Sequence, residues 1–263
     1  RTDRASWGCV RCLWARPARY HRREAGGDVA GDARSGRCAG GRWRTYLPWI
    51  AATGAATVAA GALQRAGSDG FERFLGPLPP AATIMALGAA GLGALVFLEQ
   101  RGYWHRLRSS RTLRGLVIAS AATLPFAAVA VAVDVGVGFP PDTNVEWPDA
   151  WLLYPAGSVA AVALFHLLPL AALTRLTGAR FRGRSLDRTT VAHIVPVAAV
   201  EPLVQVVLGS GLAGFTVVHV YLIGLVQLVL LRRFGYLPML WFRVCYYLLW
   251  HILWGRARLG LLF

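Results

Sequence analysis

Seven apolar runs, each close to the length of a bilayer-crossing helix, divide residues 46–263 and leave little room for anything else. They fall at 46–64, 80–98, 115–133, 151–174, 190–208, 212–231 and 237–255. A helix needs roughly 20 apolar residues to span the hydrocarbon core. The longest connection between runs has about 17 residues, too few for a soluble domain. Composition agrees: 56 % of the chain is hydrophobic and only 16 % charged, against about a quarter charged in soluble domains. These values exclude a disordered chain, a collagen-like chain and an ordinary cytosolic globule. The expected fold is all-α, a polytopic transmembrane helical bundle of about seven spans preceded by a disordered basic arm. Gly209, Ser210 and Gly211 mark a hairpin between the fifth and sixth spans, and Phe234, Gly235 and Pro238 mark the next turn.

The arm, residues 1–45, holds 11 arginines, many glycines and no long apolar run. It reads as solvated and unstructured. It begins with Arg1 rather than Met and need not be native; the transmembrane domain is 46–263. Cys9, Cys12, His21 and Cys38 include the right residue types for zinc, but their spacing is irregular and they are read as incidental. The net charge of +15 comes from 28 arginines and no lysine. Its location matters more than its size. Arg101, Arg106, Arg108, Arg111 and Arg114 follow span 2, and Arg175, Arg180, Arg182, Arg184 and Arg188 follow span 4. Arg232 and Arg233 follow span 6, so that 23 of 28 lie on one side with the arm. The connection after span 3 holds Asp134, Asp142, Glu146 and Asp149 and no arginine. The positive-inside rule then puts the N-terminus in the cytoplasm of a multi-pass protein of the inner (plasma) membrane. Arg256 and Arg258 fall on the far side and are expected to snorkel to headgroups. The expected partners are membrane lipids, with anionic headgroups at the basic end, and a peptide or protein substrate. Nucleic acid is not expected, because no recognition motif accompanies the basic residues.

Ionisable side chains at membrane depth cost about 2.5–3.5 kcal/mol each on insertion scales and mark function or pairing. Glu201 is the one acid read as lying well inside a span; His166, His193, His219, His251 and Arg243 join it. Glu201 precedes the end of span 5 by seven residues and His219 follows the start of span 6 by seven. At 1.5 Å rise per residue both lie about 10 Å below the same edge. Span 7 runs back toward that edge and carries His251 there. Gln205 shares a face with Glu201, Phe215 with His219, and Arg243 and Tyr247 with His251. Pro196 and Pro202 should distort span 5 near Glu201. Arg243 is read as a counter-ion for Glu201 or an anchor, and His166 and His193 as cross-helix hydrogen bonders. Trp241, Tyr246, Tyr247, Trp250 and Trp254 read mainly as an interface belt and packing.

A glutamate with two histidines can deprotonate a bound water while an imidazole donates to an oxyanion. The same Glu201, His219 and His251 could hold zinc with water as fourth ligand. No cofactor is otherwise expected. Both arrangements give hydrolysis. No HExxH, no nucleotide-binding glycine loop and no serine nucleophile motif occurs; Ser158 lacks such a setting.

Phe215-Thr-Val-Val-His219 resembles the FxxxH motif of the CPBP family, the CAAX-processing and bacteriocin-processing intramembrane endopeptidases. His251 resembles the histidine of that family's third motif, and Glu201 sits where its EExxxR motif would fall. The run from Phe242 to Arg258, and Tyr154-Pro155 with Phe165-His166 and Pro169, resemble a bacterial subgroup. The likeness covers about residues 150 to 263. It implies a glutamic endopeptidase in which Glu201 activates water and His219 and His251 assist as oxyanion or acid partners. Some members cleave prenylated C-terminal peptides and others are linked to bacteriocin self-immunity. The glutamate motif is incomplete here: its neighbours are Val200 and Pro202, and Gln205 or Val206 stands at the arginine position. Arg243 is the residue that can replace that arginine in space. The third motif's Asn or Asp, four residues after the histidine, is Gly255. The alternatives are a catalytically silent member that binds a peptide, lipid or partner helix, and a proton-linked transporter using Glu201 and the histidines.

Overall fold

The computed structural model describes residues 43–72, 76–104, 109–140, 143–207 and 213–262. The arm with its three cysteines and His21, and the expected hairpin turn at 209–211, lie outside them. The described residues contain helices and no strand. Among the described residues there are seven long helices: α1 (Leu47–Arg65), α2 (Pro80–Gln100), α3 (Ser109–Val137), α4 (Ala150–Ala161, Val162–Leu167 and Leu168–Thr177), α5 (Arg188–Ala198 and Val200–Val207), α6 (Ala213–Phe234) and α7 (Tyr236–Tyr247, Leu248–Trp254 and Gly255–Leu261). Each coincides with one apolar run of the sequence.

Five helices, α2 to α6, are long and apolar enough to cross a membrane. The first and last of the seven expected spans are helical but fall short on apolarity. The reasons are legible: α1 is built largely of Ala, Gly and Thr, and α7 carries Arg243, His251, Arg256 and Arg258. Large apolar side chains such as Val117, Leu124, Leu203 and Val218 point outward and are about 60 % exposed. An outer surface of this kind fits a lipid environment.

α4 is the centre of the bundle: α1, α2, α5 and α7 all pack on it. α7 also packs along α3 and α6, and α5 packs on α6. Small residues set the closest approach. The Trp49 indole N–H donates to the Gly88 carbonyl at 2.9 Å, and a Cβ on Gly88 would collide with the Thr53 side chain. Glycine there makes room for the Thr53 side chain, so that α1 and α2 pack closely. Gly235, at φ 99°, closes the turn between α6 and α7 in a conformation that side chains disfavour. α5 starts on a side-chain cap, the Asp187 carboxylate accepting from the Thr190 N–H at 2.8 Å. Hydrogen bonds from Thr190 hold that carboxyl below the usual carboxylate range.

Two buried arginines tie the ends of the bundle. Arg232, at the end of α6, donates to the carbonyls of Gly102 (2.8 Å), Tyr103 (2.6 Å), Arg182 (3.1 Å) and Ser185 (3.3 Å). Its guanidinium also stands 5.5 Å from the rings of both Tyr103 and Phe181. The chain after α2, the chain after α4 and the end of α6 are thus gathered at one end. These are the arginine-rich connections. At the other end Arg258 donates to Asp134 through Nε (2.6 Å) and Nη2 (2.8 Å), and to the carbonyls of Phe139 and Pro140. The Trp254 indole joins the same carboxylate at 2.7 Å.

This end corrects two expectations. Arg258 does not snorkel; it is buried in a bidentate pair. α3 runs on to Val137, so Asp134 lies in its last turn, inside a helix and not in a loop. A carboxylate can be carried into the bundle there because a fork-shaped guanidinium meets both its oxygens. Arg256, the other far-side arginine, lies over the Trp147 ring at 5.4 Å.

Replacing Arg232 by Met should strand several buried carbonyls. An unsatisfied buried group costs about 1–3 kcal/mol, so the variant is expected to lose about 3 kcal/mol or more of stability. Denaturation of the purified protein in detergent reads this, and an unchanged midpoint would show that the clamp contributes nothing.

Candidate functional site

The site begins with three irregular turns. α5 breaks at Ala199, between Pro196 and Pro202, and restarts with Glu201 in its first turn. Proline removes an N–H and crowds the preceding turn, which kinks or breaks a helix. α4 and α7 each contain a π-helical stretch, Val162–Leu167 and Leu248–Trp254. Such stretches insert an extra residue per turn, re-aim side chains and occur often at functional sites. The first carries His166 and the second His251.

Glu201 is buried at 2 % exposure. Arg243 Nη1 donates to its Oε1 at 2.7 Å and Nη2 to its Oε2, a two-pronged pair. Gln205 Nε2 donates to Oε1 at 3.3 Å. His166 Nε2 lies 4.0 Å from Oε2. Arg243 also reaches the Tyr247 hydroxyl at 3.4 Å. Arg243 is therefore the counter-ion of Glu201, and it arrives from α7 rather than from α5.

The two other expected residues are held separately. His219 Nε2 meets the Tyr246 hydroxyl at 3.0 Å, and its ring stacks on Phe215 with centroids 4.8 Å apart. His251 Nδ1 meets Asn144 Oδ1 at 2.7 Å. Its ring lies nearly parallel to Tyr154 at 4.4 Å and edge-on to Tyr247 at 5.0 Å.

One cavity of about 530 Å³ joins these groups. Glu201, Gln205, Phe215, His219, Arg243, Tyr247 and His251 all line it, so every side chain expected at the site borders the same space. Its other walls are mostly apolar, from α2, α3, α4 and α6. The imidazole nearest Glu201 is His166, which the sequence alone reads as a cross-helix bonder. His193 does fill that role, contacting Thr177 Oγ1 at 2.9 Å and the Thr189 carbonyl at 2.7 Å.

The aromatic cluster divides between packing and the outer surface. Tyr246, Tyr247 and Trp250 border the cavity, and Trp254 bonds Asp134. Trp241, 43 % exposed, faces outward. A helix packed on three neighbours turns most of its large rings inward. Asn144 and Tyr154 are site residues that sequence spacing does not mark. Asn144 lies between helices, where no periodicity assigns a face; the one available signal was the missing side chain at Gly255.

Among the described residues no three His, Cys, Asp or Glu side chains are grouped closely enough to hold a metal ion.

Fold and site define a multi-helix, membrane-type bundle around a cavity with apolar walls and fixed polar groups. No protein family, curated protein or solved structure matches the chain.

Removing one partner of a buried ion pair leaves an uncompensated charge and costs about 3–5 kcal/mol. Arg243→Met is expected to lose stability on that scale. The double variant Glu201→Leu/Arg243→Met should lose less than Arg243→Met alone. Melting of the unaltered chain, Arg243→Met, Glu201→Leu and the double variant in one detergent checks this; additive losses would show that the two residues act independently.

Proposed function

We propose that the chain is an integral protein of a bacterial plasma membrane, N-terminus cytoplasmic, and an intramembrane endopeptidase of the CPBP type. The arginine-rich connections gathered by Arg232 at one end support the orientation, with anionic headgroups against that end. One observation carries the activity: Glu201, His219 and His251, from three helices, border one cavity, and Arg243 supplies the arginine that the glutamate motif lacks.

The chemistry follows from counting acceptor sites. A carboxylate has about four. Arg243 and Gln205 use two on Oε1, and Arg243 uses one on Oε2. One site remains, on Oε2, to take a hydrogen bond from water. That water's oxygen attacks the peptide carbonyl carbon, its proton passes to Oε2, and the carbonyl π pair moves onto oxygen. His219, or another ring donor on the wall, stabilises that oxyanion. When the intermediate collapses the C–N bond breaks, and the proton on Oε2 goes to the leaving nitrogen. The apolar walls suit a substrate segment delivered from the bilayer.

A second reading has its own support. Three of the four acceptor sites of Glu201 are committed, which suits a silent member whose cavity binds a peptide, lipid or partner helix.

The full chain in lipid nanodiscs, given a randomised peptide mixture, should produce internal cleavages detected by mass spectrometry. General-base catalysis is worth about 10²–10⁴-fold, so Glu201→Gln should cut at least 100-fold more slowly. The double variant Glu201→Gln/Arg243→Gln, free of a stranded charge, should be equally slow. Undiminished cleavage in either overturns the assigned base. Absence of cleavage by the unaltered chain overturns the protease reading in favour of the binding one.

A further inference from the structure

Gly255 and Asn144 fit each other. A Cβ on Gly255 would lie 3.0 Å from Cβ, Cγ and Nδ2 of Asn144, closer than packed atoms normally come. The missing side chain on α7 is thus the space that Asn144 fills from the segment between α3 and α4. Asn144 is buried, at 6 % exposure, and its Oδ1 lies 2.7 Å from His251 Nδ1.

The neighbourhood holds this contact from two sides. Tyr154 stacks on the His251 ring, and its hydroxyl accepts from the N–H of Val145, the residue after Asn144, at 2.8 Å. One tyrosine therefore fixes both the plane of the imidazole and the backbone that carries the amide. Tyr247 closes the ring's edge. Asn144 Nδ2 has no hydrogen-bond partner among the described residues, which leaves the histidine as the amide's one polar attachment.

We infer that Asn144 is a positioning residue for His251: its carbonyl accepts from Nδ1–H, fixes that tautomer, and leaves Nε2 as a bare acceptor toward the cavity. Which nitrogen carries the proton is set by the hydrogen bond at the other. A neutral ring of this form accepts a hydrogen bond from the attacking water or from a substrate N–H. It has no Nε2–H to offer an oxyanion, so the oxyanion role falls to another wall group. The catalytic meaning of this assignment rests on the protease reading; the tautomer does not.

The test reads the ring directly. The full chain, labelled with ¹⁵N-histidine, is reconstituted in nanodiscs, and the His251 signals are identified by their loss in His251→Gln. His251 should show a protonated, pyrrole-type Nδ1 and an unprotonated, pyridine-type Nε2. Asn144→Ala should convert this into a mixture of both forms. Asn144→Asp, which keeps an acceptor in place, should retain a protonated Nδ1. Gly255→Ala, which crowds the amide, should also give a mixture. A protonated Nε2 in the unaltered chain means that the amide faces the other way and donates, and overturns the inference. So does an Asn144→Ala spectrum identical to the original. Because no substrate is needed, the expected tautomer in a chain that cleaves nothing overturns the protease reading and leaves the role of Asn144 standing.

Discussion

The pairing of Arg243 with Glu201 organises this protein. A lone ion inside a low-dielectric bundle is expensive, and an ion pair becomes tolerable when the geometry is good and the remaining lone pairs and protons are used. Here the guanidinium meets both carboxylate oxygens, Gln205 takes another acceptor site, and Tyr247 takes part of the guanidinium's capacity. The pair links α5, which is broken beside the cavity, to α7, which is wound loosely there. It fastens the two stretches to each other by their charges.

The same physical problem is solved differently at each end. Arg258 finds a carboxylate in the last turn of α3, and an indole completes the set. Arg232 donates to four backbone carbonyls, spreading its charge over peptide dipoles. Arginine suits all three places because its flat fork carries five donors and is weakly hydrated for a cation. The clamps leave the middle of the bundle free to be irregular. Proline in α5 and π turns in α4 and α7 then turn polar groups inward, while the apolar walls stay continuous around them.

Much of the site was legible residue by residue. Counting from span ends put Glu201 and His219 at one depth, and helical spacing put Gln205, Phe215, Arg243 and Tyr247 beside them; all border the cavity. What spacing along single helices could not give was the partner of each group. Arg243 could have faced lipid, Tyr246 could have stayed in an interface belt, and His166 could have bonded anywhere across α4. Asn144 was invisible for a further reason: between helices no period tells which way a side chain points.

The seven helices and the apolarity of their outer faces follow from composition and period, because a run of some 20 apolar residues satisfies its own backbone only as a helix. The chain order of the arginine-rich connections is also written in the sequence. Which arginine meets which acid, and which histidine meets which amide, was decided by packing. These pairings join residues far apart in the chain, across gaps set by glycines such as Gly255, and only the folded bundle determines what fills such a gap.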